Sequence, residues 1–121
     1  MKKIIVVDDS AVLRTTMQNA LGSAGYEVLA AVQGSAGLFD ALERGISPDL
    51  ILLDMFFPDE NGIDILRKVK EKYPSIKVLV ITALNRAALN REIRQNGCDD
   101  ILHKPFDLDD LTNAIQRLSW A

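Results

Sequence analysis

Two acidic stretches follow directly on apolar runs. Asp54 comes after Leu50–Leu53, and the pair Asp8 and Asp9 comes after Ile4–Val7. Continuous apolar runs of this length are typical of strands buried on both faces. Ligands of open α/β sheets bind where such strands end. Asp also caps helices and occupies turns, so the choice between a site and a turn depends on what other strand ends bring beside it.

Two further strand ends carry polar side chains. Thr82 follows the run Lys77–Ile81, and Lys104 comes soon after Ile101. Carboxylates in one crevice repel each other, so they either take up protons or bind a cation. Oxygen ligands without a nearby His or Cys select Mg²⁺ or Mn²⁺. Carboxylates, a hard cation, a Lys and a Thr together predict phosphoryl-transfer chemistry, in which an Asp can be the nucleophile. Asp54, placed centrally, is the candidate nucleophile.

The elements that must position these residues alternate between strand and helix five times. The predicted strands are Lys3–Val7, Tyr26–Val32, Leu50–Leu53, Lys77–Ile81 and Ile101–Leu102. The predicted helices are Ser10–Ser23, with Leu13, Met17 and Leu21 on its apolar face, then Gly34–Gly45, Gly62–Tyr73, Arg86–Asn96 and a last helix capped by Asp107. This alternation predicts an α/β fold in which helices cover both faces of a five-stranded parallel sheet.

Two doubly wound strand orders are compatible with five such units. The flavodoxin-like order 2-1-3-4-5 fits a chain of 121 residues. In that order the first and third strands are neighbours, and the switch point lies between them. Asp8, Asp9 and Asp54 are then expected to converge on one crevice, with Thr82 and Lys104 at the same edge.

Composition narrows the class of protein. The length predicts one domain, residues 1–121, and 48% hydrophobic with 26% charged residues is typical of a globular fold. The net charge of −3 argues against a nucleic-acid-binding surface, and the apolar runs are too short to span a membrane. The single cysteine, Cys98, excludes an internal disulfide and fits a reducing compartment, which predicts a cytoplasmic protein.

Taken together, these motifs resemble the receiver domain of bacterial two-component response regulators over nearly the whole chain. The matching pieces are Val6–Ser10, Asp54 with Pro58 and Gly62, Thr82-Ala83, and Lys104-Pro105-Phe106. Each piece is weak alone, but their order and spacing together are specific. The resemblance implies a phosphorylation-switched signalling domain rather than a turnover enzyme. Its own phosphorylation and dephosphorylation are the only reactions implied.

The resemblance also implies roles for the acidic residues. Asp54 would accept a phosphoryl group from a phosphohistidine of a sensor histidine kinase or phosphotransfer protein. Asp9 and Asp54 would ligate Mg²⁺ directly, together with the backbone carbonyl of Phe56, while Asp8 would act mainly through water. An output partner or effector domain is implied without being identified, and a homodimer that forms on phosphorylation is compatible with the family.

The remaining motif residues would couple chemistry to shape. Lys104 would pair with a phosphoryl oxygen, and Thr82 would move to hydrogen-bond the phosphate. Ala83 is small and leaves room for the incoming group. The family often has an aromatic residue where this chain has Ile101, so the switch implied here pairs Thr82 with Ile101, which would pack into the vacated space without an aromatic ring.

Three other functions compete with this interpretation. Ile101 favours a receiver-like protein-interaction module that has lost switching. A haloacid dehalogenase-like hydrolase needs a second Asp two residues after its nucleophile, where this chain has Phe56. A flavodoxin needs a phosphate loop rich in Ser, Thr and Gly after the first strand, and Asp8-Asp9-Ser10-Ala11 has the wrong charge.

Two apolar residues flank the predicted phosphorylation site. Phe56 lies two residues after Asp54, and Leu84 lies two residues after Thr82. Hydrolysis of an acyl phosphate needs a water aligned with the leaving carboxylate, which apolar side chains exclude. The sequence therefore predicts a long-lived phosphoaspartate.

Overall fold

The structure, a computed structural model, describes residues 2–55, 57–118 and 120. Five strands alternate with five helices in these ranges. The strands are β1 (Lys3–Val7), β2 (Glu27–Val32), β3 (Leu50–Asp54), β4 (Lys77–Thr82) and β5 (Asp100–His103). The helices are α1 (Ala11–Ser23), α2 (Ser35–Glu43), α3 (Gly62–Lys72), α4 (Ala87–Gln95) and α5 (Leu108–Arg117). Within the described residues, no helix combines the length and the apolar character that crossing a membrane requires.

The strands form one parallel sheet in the order β2-β1-β3-β4-β5, which confirms the predicted topology. The pairing of β1 with β3 brings Val7 opposite Leu53, so the residues that follow them leave the sheet side by side. The pairing of β4 with β5 brings Thr82 opposite His103. This topology is what collects four separate loops at one edge of the sheet.

Two apolar layers sandwich the sheet. Alternate strand residues point to opposite faces, which is why the buried strands are apolar at every position. Ile51 and Leu53 face the helices α2, α3 and α4, whereas Leu50 and Leu52 face α1 and α5. All four of these side chains are fully buried. The two layers explain why a run of four apolar residues was enough to indicate this strand.

The structure corrects the sequence prediction at several element ends. Asp54 and Thr82 are the last residues of their strands rather than the first loop residues. The apolar face predicted for the first helix is confirmed for Met17 and Leu21 but is wrong for Leu13, which is 38% exposed. Leu13 lies in the first turn of α1, at the edge where the neighbouring strands end, so the sheet does not cover it.

Gly62 allows α3 to begin close to the end of β3. A Cβ atom at this position would lie 2.6 Å from the carbonyl oxygen of Met55 and 3.0 Å from its Cα. Both are backbone atoms that cannot rotate away. The helix is then capped by Asn61, whose side-chain oxygen accepts a hydrogen bond of 2.9 Å from the amide of Ile63. Gly62 therefore sets the path of the segment that follows Asp54.

We predict that Gly62→Ala lowers the free energy of unfolding by about 2–3 kcal/mol, because the added methyl group forces the backbone of Met55 to move. Urea denaturation measures this change. Gly22→Ala is the matched control, since a Cβ at Gly22 meets nothing within 4 Å. Gly22 lies inside α1, where alanine stabilises a helix by about 0.5–1 kcal/mol. Equal effects of the two substitutions would contradict the close-approach argument.

Candidate functional site

Backbone hydrogen bonds continue the parallel ladder one step past the strands. The amide of Asp8 donates to the carbonyl of Val32 over 3.0 Å, and the amide of Met55 donates to that of Ile81 over 3.0 Å. The amide of Lys104 likewise donates to the carbonyl of Thr82 over 2.9 Å. The first loop residues are therefore fixed in position by the hydrogen-bond pattern of the sheet itself.

Asp8, Asp9 and Asp54 form one acidic cluster at this edge. One carboxylate oxygen of each lies within 4.8 Å of one from each of the others. Asp8 is fully buried and Asp54 is 5% exposed, whereas Asp9 is exposed. The structure thus brings together the three carboxylates that the sequence placed on two different strand ends. Phe56, whose carbonyl was predicted to join them, lies outside the described residues.

Asp8 is the most constrained member of the cluster. Its Oδ1 accepts a hydrogen bond of 2.8 Å from the amide of Ser10, and its backbone carbonyl accepts one of 2.7 Å from Nη1 of Arg14. Ser10 in turn caps α1 by accepting from the amide of Leu13 over 3.3 Å. The second oxygen, Oδ2, is buried and has no hydrogen-bond partner among the described residues.

A buried carboxylate oxygen without a partner is costly, and a bound cation or water would satisfy it. The donor set consists of oxygen atoms alone, which suits Mg²⁺ or Mn²⁺ rather than Zn²⁺. Asp8, Asp9 and Asp54 therefore fit a hard divalent cation by both geometry and ligand type.

Lys104 and Thr82 complete the arrangement. Lys104 Nζ lies 3.5 Å from Oδ2 of Asp54, as an ion pair in which the lysine side chain is 28% exposed. Thr82 is fully buried, and its Oγ1 accepts a hydrogen bond of 3.2 Å from the amide of Leu84. Ile101 is 9% exposed and packs in the apolar layer under α4. A carboxylate paired with a lysine, at the sheet edge where the strand of Thr82 also ends, is chemically suited to bind and transfer a phosphoryl group.

An open cleft of about 780 Å³ is lined by Asp9 and Glu60. The two carboxylate oxygens of Glu60 accept hydrogen bonds from the hydroxyl of Ser35 and, over 3.0 Å, from its amide. Gly34, the residue before α2, allows Glu60 to approach because it has no side chain. A Cβ atom at this position would lie 2.4 Å from Oε2 of Glu60 and would clash with it. The hydrogen bonds from the Ser35 side chain and backbone hold the pKa of Glu60 below its usual range.

Three contacts of this region were not predicted. Arg14 lies in the first turn of α1 and donates a hydrogen bond to the backbone carbonyl of Asp8. Its closeness in sequence to Asp8 and Asp9 was the available signal. Glu60, which bonds to Ser35, was not among the predicted site residues. His103 was not among them either, and the structure shows it half-buried with Nε2 3.3 Å from Oδ1 of Asn90.

Comparison with known proteins identifies the family. The family model described as the response regulator receiver domain matches residues 4–116. The chain belongs to the response regulator receiver domain family. It is 38% identical over 114 residues to the DNA-binding transcriptional regulator NtrC of Rhizobium meliloti, covering 94% of this chain but 23% of NtrC. It therefore spans about a quarter of the length of that relative.

Receiver proteins of similar length also match. The chain is 32% identical over 116 residues to sporulation initiation phosphotransferase F of Bacillus subtilis, with 96% of this chain and 92% of that protein covered. The structure of the chemotaxis protein CheY4 from Vibrio cholerae superposes with a TM-score of 0.87 at 29% identity, covering 98% of this chain and 99% of CheY4. The flavodoxin-like fold predicted from the sequence is thereby confirmed.

The acidic cluster predicts that magnesium stabilises this receiver domain. A ligand that binds only the folded state at ten times its dissociation constant adds about 1.4 kcal/mol, which corresponds to a rise of roughly 4–8 °C in Tm for a domain of this size. Asp9→Ala should remove most of this rise and increase Tm without metal, because one repelling charge is gone.

Thermal melts at matched ionic strength, with and without MgCl₂, measure the effect. Asp40→Ala is the control variant, since Asp40 lies exposed on α2 in a surface ion pair with Arg44. A wild-type Tm that does not respond to millimolar Mg²⁺ would contradict a carboxylate metal site.

The Glu60–Ser35 contact predicts a pH-dependent contribution to stability. Because the folded-state pKa of Glu60 lies below its unfolded value, the contribution is complete above the unfolded pKa and disappears as the pH falls through the folded pKa. Glu60→Gln should cost about 1 kcal/mol at neutral pH, as loss of a helix cap does, and progressively less in acid. Urea denaturation across this pH range checks it, with Glu71→Gln on the exposed face of α3 as the control. A pH-independent difference from wild type would refute it.

Proposed function

We propose that this receiver domain accepts a phosphoryl group on Asp54 from a phosphohistidine and thereby changes its output surface. The observation that carries this proposal is the convergence of three carboxylates within 4.8 Å beside the Lys104–Asp54 ion pair. Membership of the receiver family supports it. The proposed reaction is the domain's own phosphorylation and dephosphorylation, which makes it a cytoplasmic signalling switch rather than a turnover enzyme.

In the proposed transfer, an Oδ atom of Asp54 forms a bond to phosphorus while the bond between phosphorus and the donor imidazole nitrogen breaks. The electron pair of that bond remains on the imidazole, which takes up a proton. Asp54 lies at the end of β3 and is anchored by the sheet, so it is pre-oriented for this attack. Lys104 lies close enough to pair with a phosphoryl oxygen as negative charge builds up there.

Asp8, Asp9 and Asp54 would hold the cation on which the reaction depends. A bound Mg²⁺ supplies positive charge that offsets the repulsion between the carboxylates and the phosphoryl oxygens. Oδ2 of Asp8, which has no hydrogen-bond partner in the described part of the chain, would accept a hydrogen bond from water, in keeping with an indirect role for that residue. The Phe56 carbonyl remains a proposed ligand on the strength of the family resemblance alone.

Thr82 connects the phosphorylated state to the rest of the domain. Its hydroxyl accepts a hydrogen bond from Leu84 and still has its own proton to donate to a phosphoryl oxygen. Ala83 is exposed and small, so it leaves the approach open, while Leu84 is half-buried beside it. The half-buried leucine supports the expectation that water reaches the phosphoaspartate slowly.

The donor we infer is a sensor histidine kinase or a phosphotransfer protein. The output partner is open: the NtrC relative is a DNA-binding transcriptional regulator about four times as long, whereas the chemotaxis protein match is a receiver over its full length. A net charge of −3 gives no reason to assign DNA contact to this domain. Phosphorylation-dependent pairing of two copies is one output that the proposal accommodates.

The proposal predicts that acetyl phosphate or phosphoramidate adds one phosphoryl group to the protein, and only when Mg²⁺ is present. Asp54→Asn should gain none, because an amide is not a nucleophile for this transfer. Lys104→Ala should still show the magnesium effect on Tm but lose the transfer or its conformational consequence. Intact mass after treatment measures all three.

Asp64→Asn serves as the matched control. Asp64 is an exposed acid at the start of α3 that pairs with Arg67, so its loss should leave the phosphoryl yield unchanged. An unaltered yield in Asp54→Asn would overturn the assignment, and uptake independent of Mg²⁺ would remove the metal from the mechanism.

A further inference from the structure

A chain of three polar side chains joins β5 to the loop that follows Thr82. His103 Nε2 lies 3.3 Å from Oδ1 of Asn90 on α4, and Nδ2 of Asn90 donates over 3.0 Å to Oδ1 of Asn85 in the loop. Because the amide of Asn90 has its nitrogen engaged by Asn85, its oxygen faces His103. With the Asn90 amide in this orientation, Nε2–H of His103 is the donor.

The register of the sheet places this chain beside Thr82. His103 is the direct neighbour of Thr82 across β4 and β5. Both side chains point to the face that α4 covers, because Val80 and Ile101, two residues earlier in each strand, pack in that layer. The loop of residues 83–86 is therefore bonded at both ends: to Thr82 through the amide of Leu84, and to α4 through Asn85.

The helix that this chain holds has few other anchors. Ile93 is the single residue of α4 that is buried, and Arg86 at its N-cap makes no side-chain capping bond. Leu89 is only partly buried against the same layer. Helices with little buried apolar surface open locally at low free-energy cost. Among the described contacts, Asn90 supplies the side-chain hydrogen bonds of the N-terminal half of α4, while Arg94 forms an ion pair with β5 near the other end of the helix.

We propose that the chain His103–Asn90–Asn85 couples the state of Thr82 to the position of α4, as the positioning element of this receiver domain. The inference rests on the proposed function. When Thr82 turns its hydroxyl toward a phosphoryl group, the bond to Leu84 is lost and the loop is free to shift. The Asn85–Asn90 bond transmits that shift to α4, and His103 holds the helix in the unphosphorylated arrangement. The buried Ile101 has no hydrogen-bonding group with which to do this.

Amide hydrogen exchange of the full chain, with and without Mg²⁺ and beryllofluoride, tests the coupling. In the wild type we expect α4 to be protected without the mimic and to exchange faster with it. Asn90→Leu removes both side-chain bonds at similar volume. It should speed exchange in the first half of α4 roughly five- to tenfold without the mimic, and the mimic should then add little.

Two further variants separate coupling from simple packing. His103→Phe should behave as Asn90→Leu does, whereas His103→Gln, which keeps a donor, should restore the wild-type response. Gln95→Leu, an exposed amide on the same helix, should change nothing. Wild-type exchange and a wild-type response to the mimic in both Asn90→Leu and His103→Phe would overturn the coupling.

Phosphoryl uptake measured by mass on the same samples keeps the two proposals distinct. If Asn90→Leu takes up the phosphoryl group as the wild type does while α4 no longer responds, the coupling is supported. If the wild type takes up none, the proposed function fails and the coupling to phosphorylation fails with it. If the wild type is phosphorylated and α4 responds equally in every variant, only the coupling fails.

Discussion

The repulsion between Asp8, Asp9 and Asp54 is the constraint around which this receiver domain is arranged. Three carboxylates lie within 4.8 Å, and one of them is fully buried with an oxygen that has no hydrogen-bond partner among the described residues. This is an unfavourable local arrangement that the rest of the fold must stabilise. The sheet holds the three carboxylates together because β1 pairs directly with β3 and because the backbone hydrogen bonds continue past the strand ends. The same repulsion makes the site receptive to a cation and, with Lys104 beside Asp54, to a phosphoryl group.

Much of this arrangement followed from local patterns. Apolar runs such as Leu50–Leu53 indicated strands because both faces of the sheet are covered, strand and helix alternation predicted a parallel sheet, and the chain length favoured the order 2-1-3-4-5. The convergence of Asp8, Asp54, Thr82 and Lys104 then followed from topology alone. The exposure of Leu13 did not, because helical periodicity describes the direction of a side chain and not how far the sheet extends beneath it.

The contacts that the sequence did not reveal join side chains from different elements and loops. Glu60 reaches Ser35 across 25 positions, and His103 reaches Asn90 across 13. The first depends on the path of irregular backbone and on the absence of a side chain at Gly34, and the second depends on how α4 is placed over β5, for which no periodic pattern exists. On β5, Ile101 packs in the apolar layer, whereas His103 makes the polar contact with α4.

The central claim is that the cluster Asp8, Asp9 and Asp54 binds a metal ion and that a carboxylate oxygen of Asp54 accepts the phosphoryl group. A crystal structure of the chain with Mg²⁺ and beryllofluoride tests it most directly. The account predicts beryllium bonded to a carboxylate oxygen of Asp54, a cation held by the acidic cluster, and Lys104 and Thr82 in contact with the fluorides. It also predicts that the Thr82 hydroxyl has left the amide of Leu84. Beryllofluoride ordered on another residue, or a cation bound in the cluster with Asp54 unmodified at saturating beryllofluoride, would contradict it.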